Sequence, residues 1–120
     1  MANYLFRYFF DAGSGVCLWS ANDAAREKFD YPVTLQSLAL PENLLREALH
    51  IVTWNDTSLD WGYPPNPSPW SDEERARFND ASQCLLSNLR QQLGSMYDIR
   101  DESGTMPNSL FNTDALTRAG

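Results

Sequence analysis

The sequence predicts an α+β domain in which a small antiparallel sheet packs against about three helices. The aromatic run YLFRYFF at residues 4–10 is followed by a turn and by VCLW at residues 16–19, a pattern typical of a β-hairpin. Apolar residues recur at helical spacing in residues 41–60 and 71–93. MYDIR at residues 96–100 alternates like a further strand. The predicted order is therefore strand, strand, helix, helix, helix, strand.

The predicted hairpin has two different faces, because successive side chains of a strand point to opposite sides. One face carries four aromatic rings, those of Tyr4, Phe6, Tyr8 and Phe10. The other face carries Leu5, Arg7 and Phe9. DAGSG at residues 11–15 supplies glycines for the turn. Since two strands alone are marginally stable, we expect the late strand to join the edge of the hairpin.

The first helix is predicted to follow the hairpin directly. Ser20 or Asn22 can cap its N-terminus, and Asp23 suits the positive end of the helix dipole. The helix should end near Phe29, because Pro32 disfavours helical geometry in the residue before it.

The two longer helices carry the clearest signals. Pro41 suits the first position of the second helix, which its apolar stripe predicts over residues 41–60. Ser71 and Glu74 form the S-x-x-E pattern of a capping box at the start of the third helix, and Gly94 is its expected stop. Both stripes indicate helices that pack against a core.

The chain length of 120 residues fits one domain. We expect residues 1–100 to form a single globular α+β domain. Residues 101–120 are polar and contain a glycine and a proline that interrupt regular structure, so they are predicted to form a mobile tail. One docked patch is expected there, at Leu110 and Phe111.

Composition and charge narrow the class of protein. No window approaches the run of about 18 apolar residues that a membrane span needs. The start, MANYLFRYFF, lacks the basic region and the cleavage site of a signal peptide, so the expected location is cytoplasmic. The net charge of −7 argues against direct binding to nucleic acid or to an anionic membrane, and it permits a basic protein partner.

Residues suited to catalysis are sparse. His50 is the only histidine and lies opposite the apolar stripe of its helix, while Cys84 lies off its own stripe. A Cys–His dyad would need these two faces to converge, so the sequence predicts that the protein is not an enzyme. Cys17 and Cys84 fit no metal spacing and are expected to be buried thiols, with a disulfide between them as the alternative. We expect no cofactor and no metal site.

The negative charge is concentrated in residues 47–74, which contain six acidic residues and no lysine or arginine. Asp56 and Asp60 stand four positions apart, so on a continuous helix they would face the same side. Such a pair is expected to be solvated or to face a basic partner.

Trp54 and Trp61 lie off the apolar stripe of the second helix. Three explanations are open. The helix is buried on two sides, with the tryptophans under the proline loop or the sheet; or it ends near Asn55; or the tryptophans are exposed and bind a partner. Prolines between Pro64 and Pro69 should stiffen the loop and lower the entropy cost of binding.

The candidate partner-binding residues come from this acidic, aromatic segment. Aromatic rings are enriched at interface hot spots, and dense acidic charge favours fast capture of a basic protein. The residues predicted to contact a partner are Trp54, Asp56, Asp60, Trp61, Tyr63, Asp72 and Glu73.

Two runs, YFFDAGSGVCLWSANDAAREKF and WNDTSLDW followed by PPNPSPW, resemble small uncharacterised bacterial proteins associated with toxin–immunity gene neighbourhoods. The resemblance covers about residues 4–100. It implies a cytoplasmic immunity protein of a toxin–antitoxin or contact-dependent inhibition system, which binds and blocks a cognate toxin. It carries over no functional residue.

Two functional hypotheses follow. The first is a non-enzymatic inhibitor that neutralises a basic toxin, for which a nuclease is a fitting candidate. The second is a stand-alone interaction or scaffold domain, with a homodimer as one form. The sequence leaves the oligomeric state open.

Overall fold

The computed structural model describes residues 2–104, so the patch predicted at Leu110 and Phe111 lies outside the described residues. The described chain has four strands, three α-helices and one 3-10 turn, which confirms the α+β class. In chain order the elements are β1 (Tyr4–Tyr8), β2 (Leu18–Ser20), α1 (Asp23–Phe29), β3 (Pro32–Val33), the 3-10 turn (Leu35–Leu38), α2 (Glu42–Asp56), α3 (Asp72–Leu93) and β4 (Tyr97–Asp101).

The sheet has the strand order β3-β2-β1-β4. β1 is antiparallel to β2, and the late strand β4 joins the edge of this hairpin as predicted. β4 is parallel to β1, however, with Tyr4 opposite Tyr97, so the prediction of an antiparallel sheet was wrong and the sheet is mixed. The chain between β1 and β4 crosses over through the helices, which is the kind of connection that parallel strands require. β3, which pairs with β2, was not predicted.

The face of β1 that carries Phe6 and Tyr8 packs against the helices. The Phe6 ring meets Phe29 of α1 edge to face at 5.5 Å, and Phe10 meets Phe78 of α3 at 5.2 Å. Tyr8 is fully buried, and its hydroxyl donates to the carbonyl oxygen of Ser82 over 2.9 Å. Burial raises the pKa of Tyr8, so the phenol stays protonated and keeps this bond.

The opposite face of the sheet carries a stack of aromatic and charged groups. Phe9 stacks on Trp19 with 4.8 Å between ring centroids, and the Arg7 guanidinium carbon lies 5.0 Å from the Phe9 centroid. Nε of Arg7 donates to Glu102 over 2.8 Å. This arrangement matches the predicted division of the β1 side chains between two faces.

The caps of α1 and α3 agree with those expected from the sequence, whereas both ends of α2 differ. α2 begins at Glu42, with Pro41 as its N-cap and not as its first helical residue. Asn22 accepts from the backbone of Ala25 in α1, and Ser71 accepts from the backbone of Glu74 in α3. α2 ends at Asp56 and not at residue 60, because the Thr57 hydroxyl and amide both bond the carbonyl oxygen of Trp54 and close the last turn. None of the helices within residues 2–104 combines the length and the hydropathy of a membrane span.

The two cysteines differ in environment. Cys17 is buried, as predicted, and burial raises its pKa to about 12, so its thiol stays protonated. Cys84 is exposed on α3, which corrects the expectation of two buried thiols. Cys84 falls outside the apolar stripe of α3, which is why it faces solvent.

A Tyr8→Phe variant should be less stable than the wild-type protein by about 1–2 kcal/mol, because it removes the buried hydrogen bond between the Tyr8 hydroxyl and Ser82. Urea unfolding would measure this difference. The control is Tyr31→Phe, since the Tyr31 side chain is 44% exposed. That change should alter stability by less than about 0.5 kcal/mol. Equal effects of the two variants would contradict the assignment of the Tyr8 bond.

Candidate partner-binding surface

The predicted binding residues cluster around the α2–α3 loop, which we define as residues 57–71. Asp60 organises the middle of this loop. Its Oδ1 accepts from the backbone nitrogens of Gly62 and Tyr63 over 2.9 and 3.2 Å, and its Oδ2 accepts from the Asn66 amide over 2.9 Å. These bonds lower the pKa of Asp60, the Asn66 bond most strongly. The carboxylate of Asp60 therefore holds the loop in shape.

Asp56 connects the loop to the hairpin turn. Its Oδ1 accepts from the backbone nitrogen of Gly13 over 2.9 Å, and its carbonyl oxygen accepts from the Trp61 indole over 2.7 Å. Gly13 has a φ of 86°, and a Cβ added there would lie 3.4 Å from the Trp61 ring. Glycine is favoured at this position by both its backbone geometry and the close ring.

The predicted pairing of Asp56 and Asp60 on one helix face was wrong. α2 ends at Asp56, so Asp60 lies in the loop and has no helical relation to it. The apolar stripe led to this error, because Leu59 continues the helical spacing beyond the point where the hydrogen bonds stop.

Trp54 and Trp61 have different environments. Trp54 is half-buried, and its ring meets Phe78 edge to face at 5.2 Å and Trp70 at 6.1 Å. Its indole nitrogen donates to Oε2 of Glu74 over 3.0 Å. Trp61 is 58% exposed, and its neighbour Tyr63 is 59% exposed. Partial burial against Phe78 and Trp70 therefore explains why Trp54 lies off the apolar stripe of α2. Trp61 lies off the stripe because α2 ends before it, and its ring is exposed to solvent.

Trp70 is a structural residue of this surface that the sequence analysis did not single out. It is buried, and its indole nitrogen donates to the Thr57 hydroxyl over 2.7 Å. This bond joins the two ends of the α2–α3 loop. Its position directly before the N-cap Ser71 could have predicted this role, because the residue before an N-cap commonly packs back onto its helix.

The acidic charge of residues 47–74 is not neutralised within the described chain. Asp72 and Glu73 are exposed in the first turn of α3. Between residues 2 and 104, none of the six acids in this segment belongs to an ion pair. The ion pairs found there use Asp23, Glu42 and Glu102 as their acids. The segment therefore presents a negative field to its surroundings.

The residues considered for catalysis are not brought together. His50 is exposed on α2, where its ring lies 6.0 Å from that of Trp54. Cys84 lies on α3, with its Sγ 3.9 Å from the Asn88 amide. In the described part of the chain, no hydrogen bond joins His50 to Cys84, and no group of three His, Cys, Asp or Glu residues is placed to hold a metal ion.

The Asp60 network should respond to acid in a defined direction. Because the folded-state pKa of Asp60 is lowered, its stabilising effect is present above the ordinary aspartate value of about 3.9 and is lost as pH falls through the lower folded value. NMR titration should show the Gly62 and Tyr63 amides shifting with a midpoint below about 3.9. In an Asp60→Ala variant, the Gly62 and Tyr63 amides should have, already at neutral pH, the chemical shifts that the wild-type protein shows only in acid. A midpoint above the ordinary value would contradict the network.

No protein-family model matches the chain, and no curated protein matches it. Two features of this surface bear on its function. Trp61 and Tyr63 are exposed on a loop that its own hydrogen bonds hold. The acidic residues around them have no cationic partner within residues 2–104.

Proposed function

We propose that this protein is a non-enzymatic immunity or inhibitor protein that binds and neutralises a cognate basic bacterial toxin. Contact is made through the α2–α3 loop and the first turn of α3. One observation carries the proposal: Trp61 and Tyr63 are each more than half exposed on a loop whose shape is set by internal hydrogen bonds. A basic nuclease is a fitting target, and its inhibitor would act in the cytoplasm.

Exposed aromatic rings on an ordered loop favour binding for two reasons. Tryptophan and tyrosine are enriched among the residues that contribute most to interface affinity. A loop that is already ordered loses little conformational entropy when a partner docks. The bonds of Asp60 and the Trp61 bond to Asp56 supply that order here.

The negative charge of residues 47–74 supports the proposal of a basic partner. The uncompensated acids of residues 47–74 would attract a cationic surface over a distance of about one Debye length, roughly 8 Å at physiological salt. Asp72 and Glu73 are exposed, which supports their pairing with arginine or lysine of the partner. On a nuclease, such carboxylates would occupy the place of substrate phosphates.

The same charge disfavours the alternative of a homodimer formed through this surface. Two copies of the α2–α3 loop facing each other would bring like charges together, and that juxtaposition costs binding free energy. The scaffold hypothesis is separated from the first by measuring molecular mass in solution. A dimer that Trp61→Ala converts to a monomer would support self-association.

Association with the toxin should depend strongly on salt. Co-purification from the native host identifies the partner, and stopped-flow mixing then gives the rate constants. Because the acids steer the encounter, the association rate constant should fall by roughly tenfold or more between about 50 mM and about 500 mM salt. An association rate that does not change with salt would remove the electrostatic part of the proposal.

Removal of either exposed ring should weaken toxin binding without unfolding the protein. Trp61→Ala and Tyr63→Ala should each lower the affinity by about 2 kcal/mol, which is roughly thirtyfold. Titration calorimetry measures the loss, and circular dichroism checks the fold. Tyr31→Ala is the matched control, because Tyr31 is also exposed but belongs to the opposite face of the sheet. Wild-type affinity for the toxin in both loop variants would contradict the proposed binding surface.

A further inference from the structure

A groove lies between the last turns of α2 and the first turn of α3. It has a volume of about 360 Å³ and is open to solvent. Its lining comes from His50, Thr53, Trp54, Thr57 and Glu74. His50, Thr53 and Trp54 of α2 and the C-cap Thr57 follow helical spacing, so they form one continuous strip beside the Glu74 carboxylate. The groove therefore combines an indole ring with a single acidic group.

The Glu74 carboxylate has capacity for another partner. Oε2 accepts from the Trp54 indole nitrogen over 3.0 Å, which holds the carboxylate beside the ring. Within residues 2–104, Oε1 of Glu74 takes part in no hydrogen bond and in no ion pair. A carboxylate can accept several hydrogen bonds, so one oxygen is available to a donor that enters the groove.

We propose that this groove binds an arginine side chain of the basic partner. The guanidinium group stacks on the Trp54 ring and donates to the free oxygen of Glu74. The inference rests on the proposed function and names the side chain that the partner inserts. The groove also adjoins the proposed surface, because Thr57 follows Asp56, whose carbonyl oxygen holds Trp61.

Arginine fits this groove better than other side chains. A planar guanidinium stacks on an aromatic ring and can donate to a carboxylate at the same time. A lysine ammonium is a compact, strongly hydrated charge that makes poorer ring contact. An apolar side chain would leave the Glu74 oxygen desolvated and unpaired, while an anion would be repelled by it.

NMR titration with N-acetyl-arginine amide tests the proposal directly. The Trp54 indole resonance, assigned with a Trp54→Phe variant, should shift and saturate with the arginine probe. It should shift much less with N-acetyl-lysine amide or N-acetyl-leucine amide. E74Q should weaken arginine binding by about tenfold. Glutamine suits this position of a capping box and can still accept from Trp54, so E74Q is expected to fold.

The matched control is D80N, which removes one exposed charge from α3 at a residue outside the groove. D80N should bind the arginine probe with nearly wild-type affinity. The proposal is overturned if D80N and E74Q lose affinity equally, because binding would then reflect general charge. It is also overturned if the lysine or leucine probe shifts Trp54 as strongly as arginine does.

Different experiments test the arginine groove and the proposed function. Trp61→Ala should leave binding of the arginine probe unchanged, since Trp61 does not line the groove. If the probe does not bind but Trp61→Ala still abolishes toxin binding, the toxin-binding surface stands and the arginine groove is wrong. If the probe binds but no loop variant affects the toxin, the groove stands and the proposed surface is wrong.

Discussion

The proposed surface depends on the edge-to-face contact between Trp54 of α2 and Phe78 of α3, whose centroids are 5.2 Å apart. Trp70 packs against both rings and closes the cluster from the loop side. The cluster sets the distance between the end of α2 and the start of α3. The α2–α3 loop must span that fixed distance, and Asp60 then determines its path by its internal hydrogen bonds. Exposed rings on such a loop keep a defined position.

The acidic residues of this region have two distinct roles. Asp56, Asp60 and Glu74 each accept hydrogen bonds from nitrogen groups of the protein, so part of their bonding capacity maintains structure. Asp72 and Glu73 stand exposed in the first turn of α3, where the helix dipole favours negative charge. This acidic region therefore remains ordered while it keeps its negative charge. Burial of these acids is not required for either role.

Local patterns predicted the α+β class, the two faces of β1 and the caps of α1 and α3, because each depends on residues close together in the chain. Three features were not predictable in this way. The direction of β4 depends on the crossover of the whole chain. The end of α2 depends on Thr57 bonds that compete with a continuing apolar stripe. The contact of Asp56 with Gly13 joins residues 43 positions apart, which no local pattern reports.

The parallel pairing of β4 with β1 has a consequence for synthesis. Tyr4 and Tyr97 come from opposite ends of the described chain and must pair before the sheet is complete. Such distant contacts slow folding, because a large loop must close before they form. During translation, β1 leaves the ribosome early and waits with an unpaired edge until β4 emerges. Within residues 2–104, the sheet can therefore be completed only after β4 has been synthesised.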